Sequence, residues 1–142
     1  MRKAQWRLPV MFAAMLLLEL AAAHVLLTAD RETVFFEGKP IHVACSFKQH
    51  FGVPCPACGI SRSVVLTLHG DVATASDLNP GGPVGVLTML YFSAAMLWLA
   101  LRRSARTVTV IQWSTAFLGL TLIAVVCVHW IRAVAAVVQT RG

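Results

Sequence analysis

Hydrophobic residues are gathered in three long runs, and one polar stretch separates the first run from the second. The runs extend from Leu8 to Thr28, from Val84 to Leu101 and from Val108 to Ile131. As helices rising about 1.5 Å per residue, they approach or exceed the hydrocarbon core of a bilayer, about 30 Å thick. The pattern predicts an all-α membrane protein with three transmembrane helices in a single integral membrane domain, residues 1–142.

The polar stretch, residues 30–83, forms a loop with some local structure of its own. Residues 33–36 and 41–44 flank a Glu-Gly-Lys-Pro segment and are predicted to pair as a small hairpin. Such a hairpin is only marginally stable unless another element covers it.

Two short helices are predicted further along this loop. Apolar positions recur with helical spacing from Gly59 to Leu68, and Gly70 suits the stop position. Asp71 can cap a second helix that ends near Leu78. Neither helix is long enough to cross a bilayer, so both are predicted to be interfacial or re-entrant.

Composition supports a membrane location and argues against nucleic acid as a partner. The chain is 58% hydrophobic and 13% charged, whereas a typical soluble domain is about 25% charged. The net charge of +6 comes from basic residues that flank the apolar runs instead of forming a nucleic-acid module. The lipid bilayer is therefore the expected partner, together with other membrane proteins.

The distribution of basic residues predicts which side of the membrane the loop faces. Residues 1–7 and 102–106 hold six lysines and arginines in two short segments, and the other six are spread over the loop and the carboxyl-terminal tail. Acidic residues in the loop offset its basic ones. The positive-inside rule then places the amino terminus of this multi-pass cell-membrane protein in the cytoplasm and the loop outside.

The first run has a second interpretation as a secretory signal peptide. Ala21 and Ala23 form an Ala-x-Ala cleavage pattern. The apolar stretch continues past these alanines, which favours a retained span.

The most distinctive motif of the loop is Cys-Pro-Ala-Cys-Gly at residues 55–59. Its two thiols stand directly before the predicted helix, where unpaired backbone N–H groups favour a thiolate, and their spacing suits a metal ion or a small disulfide. A zinc ribbon needs a second cysteine pair, but only Cys45 and Cys127 remain. A covalent haem site needs histidine at position 59, which is Gly59.

Several loop residues agree in order and spacing with the pattern of a known family: Cys45-Ser46-Phe47, Gly52 to Arg62, Leu68 to Asp71, Ala75 and Asn79-Pro80. In these residues the loop resembles domain-of-unknown-function family 2752, which consists of small prokaryotic membrane proteins. Ser61 departs mildly from the family pattern, which more often has Thr or Gln there. The resemblance implies a membrane location and topology but no established reaction.

Ionisable residues within the spans are costly and point to function. His24 is predicted about 24 Å across the membrane, and His129 at about 32 Å, both near the level of the loop. We therefore expect a metal site of Cys45, Cys55 and Cys58, completed by His24, His129 or Cys127. The remaining candidate residues have structural or interaction roles: Arg62, Asp71, Asn79, Pro80 and Glu19.

Each of these assignments has a simpler alternative. A histidine near the interface can act as an amphipathic anchor, and Cys127 can be a small packing residue. Glu19 can be protonated and hydrogen-bonded between helices, or it can pair with Arg62, which otherwise extends towards lipid phosphates.

Two functions remain open at this stage. The first is a binding or scaffold module whose loop is held by a metal ion, with zinc as the candidate, or by a disulfide. The second is a membrane dithiol oxidoreductase in which Cys55 attacks and Cys58 resolves. A lipid-active enzyme based on Glu19 and Arg62 has little support, since the spans lack a second carboxylate. The first function is favoured because the loop shows no cofactor-binding frame, and on this basis the protein is more easily explained as a non-enzyme.

Overall fold

The computed structural model of the protein describes residues 7–41, 45–102 and 105–141. Three of its helices are long and apolar enough to cross a membrane, over Arg7–Leu26, Gly81–Leu101 and Val108–Thr140. The predicted fold class, an all-α membrane protein with a structured loop, is confirmed. The elements are α1 (Arg7–Leu26), β1 (Leu27–Ala29), β2 (Val34–Phe36), β3 (Lys39–Ile41), α2 (Ser46–Phe51), α3 (Ile60–Leu68), α4 (Val72–Leu78), α5 (Gly81–Arg102) and α6 (Ala105–Arg141).

Helix α5 is the element that joins the other long helices, because it packs against both α1 and α6. Small side chains such as Ala13 of α1 and Ala95 of α5 are buried in the described part of the chain. The Tyr91 hydroxyl lies 2.5 Å from the Ser114 Oγ and links α5 to α6. Most large apolar side chains on these helices stay exposed, as expected of surfaces that face lipid.

The loop begins with a three-stranded antiparallel sheet in the order β1-β2-β3. Glu37 and Gly38 form the β2–β3 turn with φ values of 48° and 78°, the left-handed conformation that two-residue hairpin turns favour. A hairpin is therefore present as predicted, but its second strand begins at Lys39, because the turn takes two residues and not the four expected at 37–40. Residues 42–44 of the expected second strand lie outside the described residues. Strand β1 was not predicted, because its apolar residues continue the hydrophobic run of α1.

Short helices occupy the rest of the loop. Helices α3 and α4 agree with prediction, and the Asp71 carboxylate accepts a hydrogen bond from the Thr74 N–H at 3.1 Å as the cap of α4. The six-residue helix α2 was not predicted. It ends at Gly52, whose φ of 68° lies in the left-handed region.

The long helices differ from the predicted runs at two ends. Helix α5 begins at Gly81, although the Pro-Gly-Gly-Pro segment at 80–83 was expected to precede it. Pro83 is tolerated there because N–H groups in the first turn have no intrahelical acceptor. Helix α6 continues to Arg141 rather than ending at Ile131, and its apolar part is about 50 Å long. Of the residues used to predict sidedness, Arg2, Lys3 and Arg103 lie outside the described residues.

Candidate metal centre

A tight turn brings Cys55 and Cys58 together at the start of α3. The Cys58 N–H donates to the Cys55 carbonyl at 3.0 Å, and the Ile60 N–H donates to the Ala57 carbonyl at 3.1 Å. Pro56 suits the second position of such a turn because its φ is fixed near the required value. Gly59 then takes a φ of 81°, a conformation costly for other residues, and leads directly into α3.

Cys45 reaches the same place from a separate part of the chain. It stands at the amino-terminal cap of α2, ten residues before Cys55. The sulfur atoms of Cys45, Cys55 and Cys58 all lie within 4.8 Å of one another, and all three side chains are half-buried. Sulfurs that share one tetrahedral zinc ion at about 2.3 Å lie about 3.8 Å apart. A small closure of this cluster would therefore fit the ion.

Asn79 holds the cysteine turn against the beginning of α5. Its side chain is completely buried. The amide nitrogen donates to the carbonyls of Pro56 and Cys58, each at 3.2 Å, and the amide oxygen accepts from the Gly81 N–H at 2.9 Å. One buried side chain thus fixes both the turn that carries two cysteines and the first residue of a transmembrane helix.

A second buried polar side chain, Ser63, ties α3 to the same region. Its hydroxyl lies 2.8 Å from the Ala75 carbonyl and 2.7 Å from the Asn79 carbonyl, and it donates to these acceptors. Helix α5 approaches Ser63 closely at Gly82, where an added Cβ would come within 2.6 Å of the Ser63 Cβ. The sequence gives no simple signal for this contact, because serine and glycine here look like ordinary loop residues.

Arg62 connects the cysteine helix to the turn before the hairpin. Its Nη1 donates to the Arg31 carbonyl at 2.6 Å and to the Glu32 carbonyl at 3.1 Å. The predicted alternative, an ion pair between Arg62 and Glu19, is not formed. Within the described part of the chain, the only ion pair joins Arg31 and Asp77 at 3.7 Å. Arg62 therefore acts here as a support between two segments of the loop.

The three thiols line a cavity of about 300 Å³. Its other walls come from the hairpin, from the 30–33 turn and from α3. A volume of this size is at the lower end of the range for small-molecule sites. The lining residues include Glu32, Ser61 and Arg62, together with Val34 and Ile41.

The thiols differ in their readiness to ionise. Hydrogen bonds from the Lys48 N–H and from the Cys55 thiol lower the pKa of Cys45 from 9.0 to about 7. Burial, together with its hydrogen bond to Cys45, raises the pKa of Cys55. The Cys55 thiol thus favours the thiolate form of Cys45 at the cost of its own ionisation.

The structure does not bring the two intramembrane histidines into this cluster. The His24 ring packs against the His69 ring with centroids 4.7 Å apart, and His69 Nε2 lies 2.8 Å from the Leu27 carbonyl. His129 lines a different cavity of about 340 Å³ with Pro80 and Arg132.

The remaining candidate residues lie elsewhere. Glu19 and Cys127 are exposed on α1 and α6. Sequence reasoning missed Trp130, whose Nε1 donates to the Pro54 carbonyl at 2.7 Å and attaches the loop to α6. An aromatic residue near the predicted membrane interface was the available signal for it.

Comparison with known proteins agrees with the resemblance found in the sequence. The family model described as protein of unknown function (DUF2752) matches residues 45–93, which include all three clustered cysteines and Asn79. No curated protein and no solved structure matches the chain. The match covers about a third of the chain, and the family description names no activity.

Proposed function

We propose that this protein is a membrane-embedded binding module whose extramembrane loop is organised by one metal ion, zinc, held by Cys45, Cys55 and Cys58. The observation that carries the proposal is the convergence of three sulfurs from two separate segments to within 4.8 Å. Such a site would lock α2 to the turn before α3. The surface so formed would be available to other membrane proteins.

The ligand chemistry supports a thiophilic metal. Thiolates select soft or borderline ions such as zinc, and a metal ion can engage all three sulfurs. A disulfide would use two of them and leave the third as a thiol. Hydrogen bonds from the Lys48 N–H and the Cys55 thiol lower the pKa of Cys45, which favours the thiolate form that binds metal.

We also propose that the loop faces the outside of the cell membrane. The dense basic segments at residues 1–7 and 102–106 support a cytoplasmic location for the opposite ends of the spans. Thiols on the outer face are exposed to oxidation, so a bound metal would also protect them.

Metal analysis of the purified protein in detergent tests the metal proposal. We expect one equivalent of zinc in the wild-type protein and in Cys127→Ser, because Cys127 is outside the cluster. Cys45→Ser, Cys55→Ser and Cys58→Ser should each lose most of the metal. Equal metal content in all four variants, or none in the folded wild type, would contradict the proposal.

Labelling of intact cells with a membrane-impermeant maleimide tests sidedness and the state of the thiols together. Labelling that requires prior chelation is expected if the loop is outside and metal-bound. Labelling that requires prior reduction would indicate a disulfide instead. Resistance to every treatment, with full labelling after permeabilisation, would place the loop in the cytoplasm.

A dithiol oxidoreductase is the second candidate, and it is favoured by the proximity of the three thiols together with the hydrogen bonds that lower the pKa of Cys45. In this mechanism the Cys45 thiolate attacks a partner's disulfide, forms a mixed disulfide and releases a partner thiolate. Cys55 or Cys58 then attacks the Cys45 sulfur, which releases the reduced partner and leaves a disulfide. Cys45, rather than Cys55, would be the attacking residue. The double variant Cys55→Ser/Cys58→Ser should trap mixed disulfides with the partner, and the matched variant Cys45→Ser should not. This result would favour the oxidoreductase over metal binding.

A further inference from the structure

The three-cysteine site leaves one coordination position of a tetrahedral ion to be filled. Structural zinc sites are almost always four-coordinate, and closed sites take all four ligands from the protein. Within the described part of the chain, the three cysteines are the only group of three or more possible metal ligands that lie together, and no fourth ligand accompanies them. The fourth ligand therefore has to come from a group that can move into the cluster.

Glu32 is placed to supply it. It lines the same cavity as Cys45, Cys55 and Cys58, and it comes from the turn that precedes the hairpin. Among the described residues no hydrogen bond or ion pair holds its carboxylate. This exposed side chain therefore has no polar partner among the described residues that it would have to give up in order to bind an ion.

The backbone of Glu32 is fixed on both sides, so only its side chain has to move. The Glu32 N–H donates to Asp30 Oδ1 at 2.7 Å, and the Glu32 carbonyl accepts from Arg62 Nη1 at 3.1 Å. Arg62 is itself on α3, four residues after Cys58. The arginine thus keeps the backbone of Glu32 beside the helix that follows the cysteine turn.

The charges also suit a carboxylate ligand. A divalent ion with three thiolates has a net charge of −1, and a carboxylate brings it to −2. A site of four cysteines carries the same charge. The Arg62 guanidinium lines the cavity and offsets part of it.

We propose that Glu32 is the fourth ligand of the metal and closes the site. This inference rests on the proposed metal-binding function. Its consequence is that three separate segments of the loop, the 30–33 turn, the start of α2 and the turn before α3, would meet at one ion.

X-ray absorption of the cobalt-substituted protein in detergent tests the proposal, with Glu37→Gln as the matched control. Glu37 is an exposed glutamate in the nearby β2–β3 turn and does not line the cavity. We expect three sulfurs and one oxygen in the wild type and in E37Q. E32Q should bind the metal at least about tenfold more weakly. E32H should restore binding with three sulfurs and one nitrogen.

The other outcomes separate the two proposals. The wild type could show three sulfurs and one oxygen while E32Q keeps the same ligand atoms and the same metal affinity. That result would assign the oxygen to water and overturn the inference. A wild-type nitrogen ligand that disappears in His42→Ala would overturn it in favour of histidine. In both cases the metal site would stand. A wild-type protein that binds no metal through sulfur would instead overturn the proposed function itself.

Discussion

The membrane-spanning helices and the loop assembly, residues 27–83, are stabilised in different ways. Along α1, α5 and α6 many large apolar side chains remain exposed, including Trp113 at 75% and Leu101 at 81%. In the loop and its junction with α5, the two largest fully buried side chains are both polar, Asn79 and Ser63. A lipid-facing helix needs only apolar residues, whereas a buried polar group must find its partners at defined distances. The loop assembly should therefore be far more sensitive to substitution than the spans.

The strongest test of this difference is Asn79→Ala. It removes three hydrogen bonds and leaves buried carbonyl and N–H groups unpaired, each at a cost of about 1–3 kcal/mol. We expect a loss of about 3 kcal/mol or more in the free energy of unfolding, measured in detergent by denaturant titration. The exposed amide variant Gln49→Ala should change stability by less than about 0.5 kcal/mol. Equal stability of the two variants would contradict the structural role of Asn79.

Gly82→Ala tests the close approach between α5 and α3. The new Cβ would come within 2.8 Å of the Ser63 backbone carbon, so the two helices must separate. Overpacking of this kind lowers the free energy of unfolding by about 1–3 kcal/mol, which denaturant titration in detergent measures.

Gly85→Ala is the control for this contact. Gly85 lies one turn further along the same helix, with nothing within 4 Å of an added Cβ. It should be neutral or slightly stabilising, because alanine favours helix more than glycine does. A stable G82A variant with an intact loop would show that α3 and α5 are not closely packed at this point.

The smallest expected effect concerns acid and the cap of α4. Hydrogen bonds from the Thr74 backbone and side chain lower the pKa of Asp71 below 3.8. Its contribution to stability is therefore present above its unfolded pKa and is lost as pH falls through the lower, folded value. We expect the melting temperature of the wild type to fall more between about pH 5 and about pH 2 than that of Asp71→Asn.

The control for acid sensitivity is Asp77→Asn. Among the described residues, Asp77 takes part only in an exposed ion pair with Arg31 at 3.7 Å, and such pairs contribute little to stability. This variant should follow the wild-type pH dependence closely. A wild-type-like response of Asp71→Asn would show that the cap does not contribute to acid sensitivity.

Much of the architecture follows from the sequence alone. The spacing of apolar residues predicts three long helices because the bilayer requires about 20 such residues in succession. Local signals predict α3, α4 and a hairpin, since Gly70, Asp71 and the Glu-Gly-Lys-Pro segment act over only a few residues, although the exact turn at Glu37-Gly38 was not predicted. The same signals fail for β1, whose apolar side chains suit a strand as well as the end of a helix.

The candidate site depends on contacts between distant positions. Spacing predicts that Cys55 and Cys58 are neighbours, and resemblance to a family marks Cys45. The sequence already predicts a metal site that joins Cys45 to this pair. Only the tertiary structure brings the three sulfurs within 4.8 Å of one another, places His24 against His69 instead, and brings Glu32 to the same cavity. These outcomes depend on the path of residues 27–83 over the ends of the spans and on the buried hydrogen bonds of Asn79 and Ser63. No local pattern encodes such pairings, because each joins residues far apart in the chain.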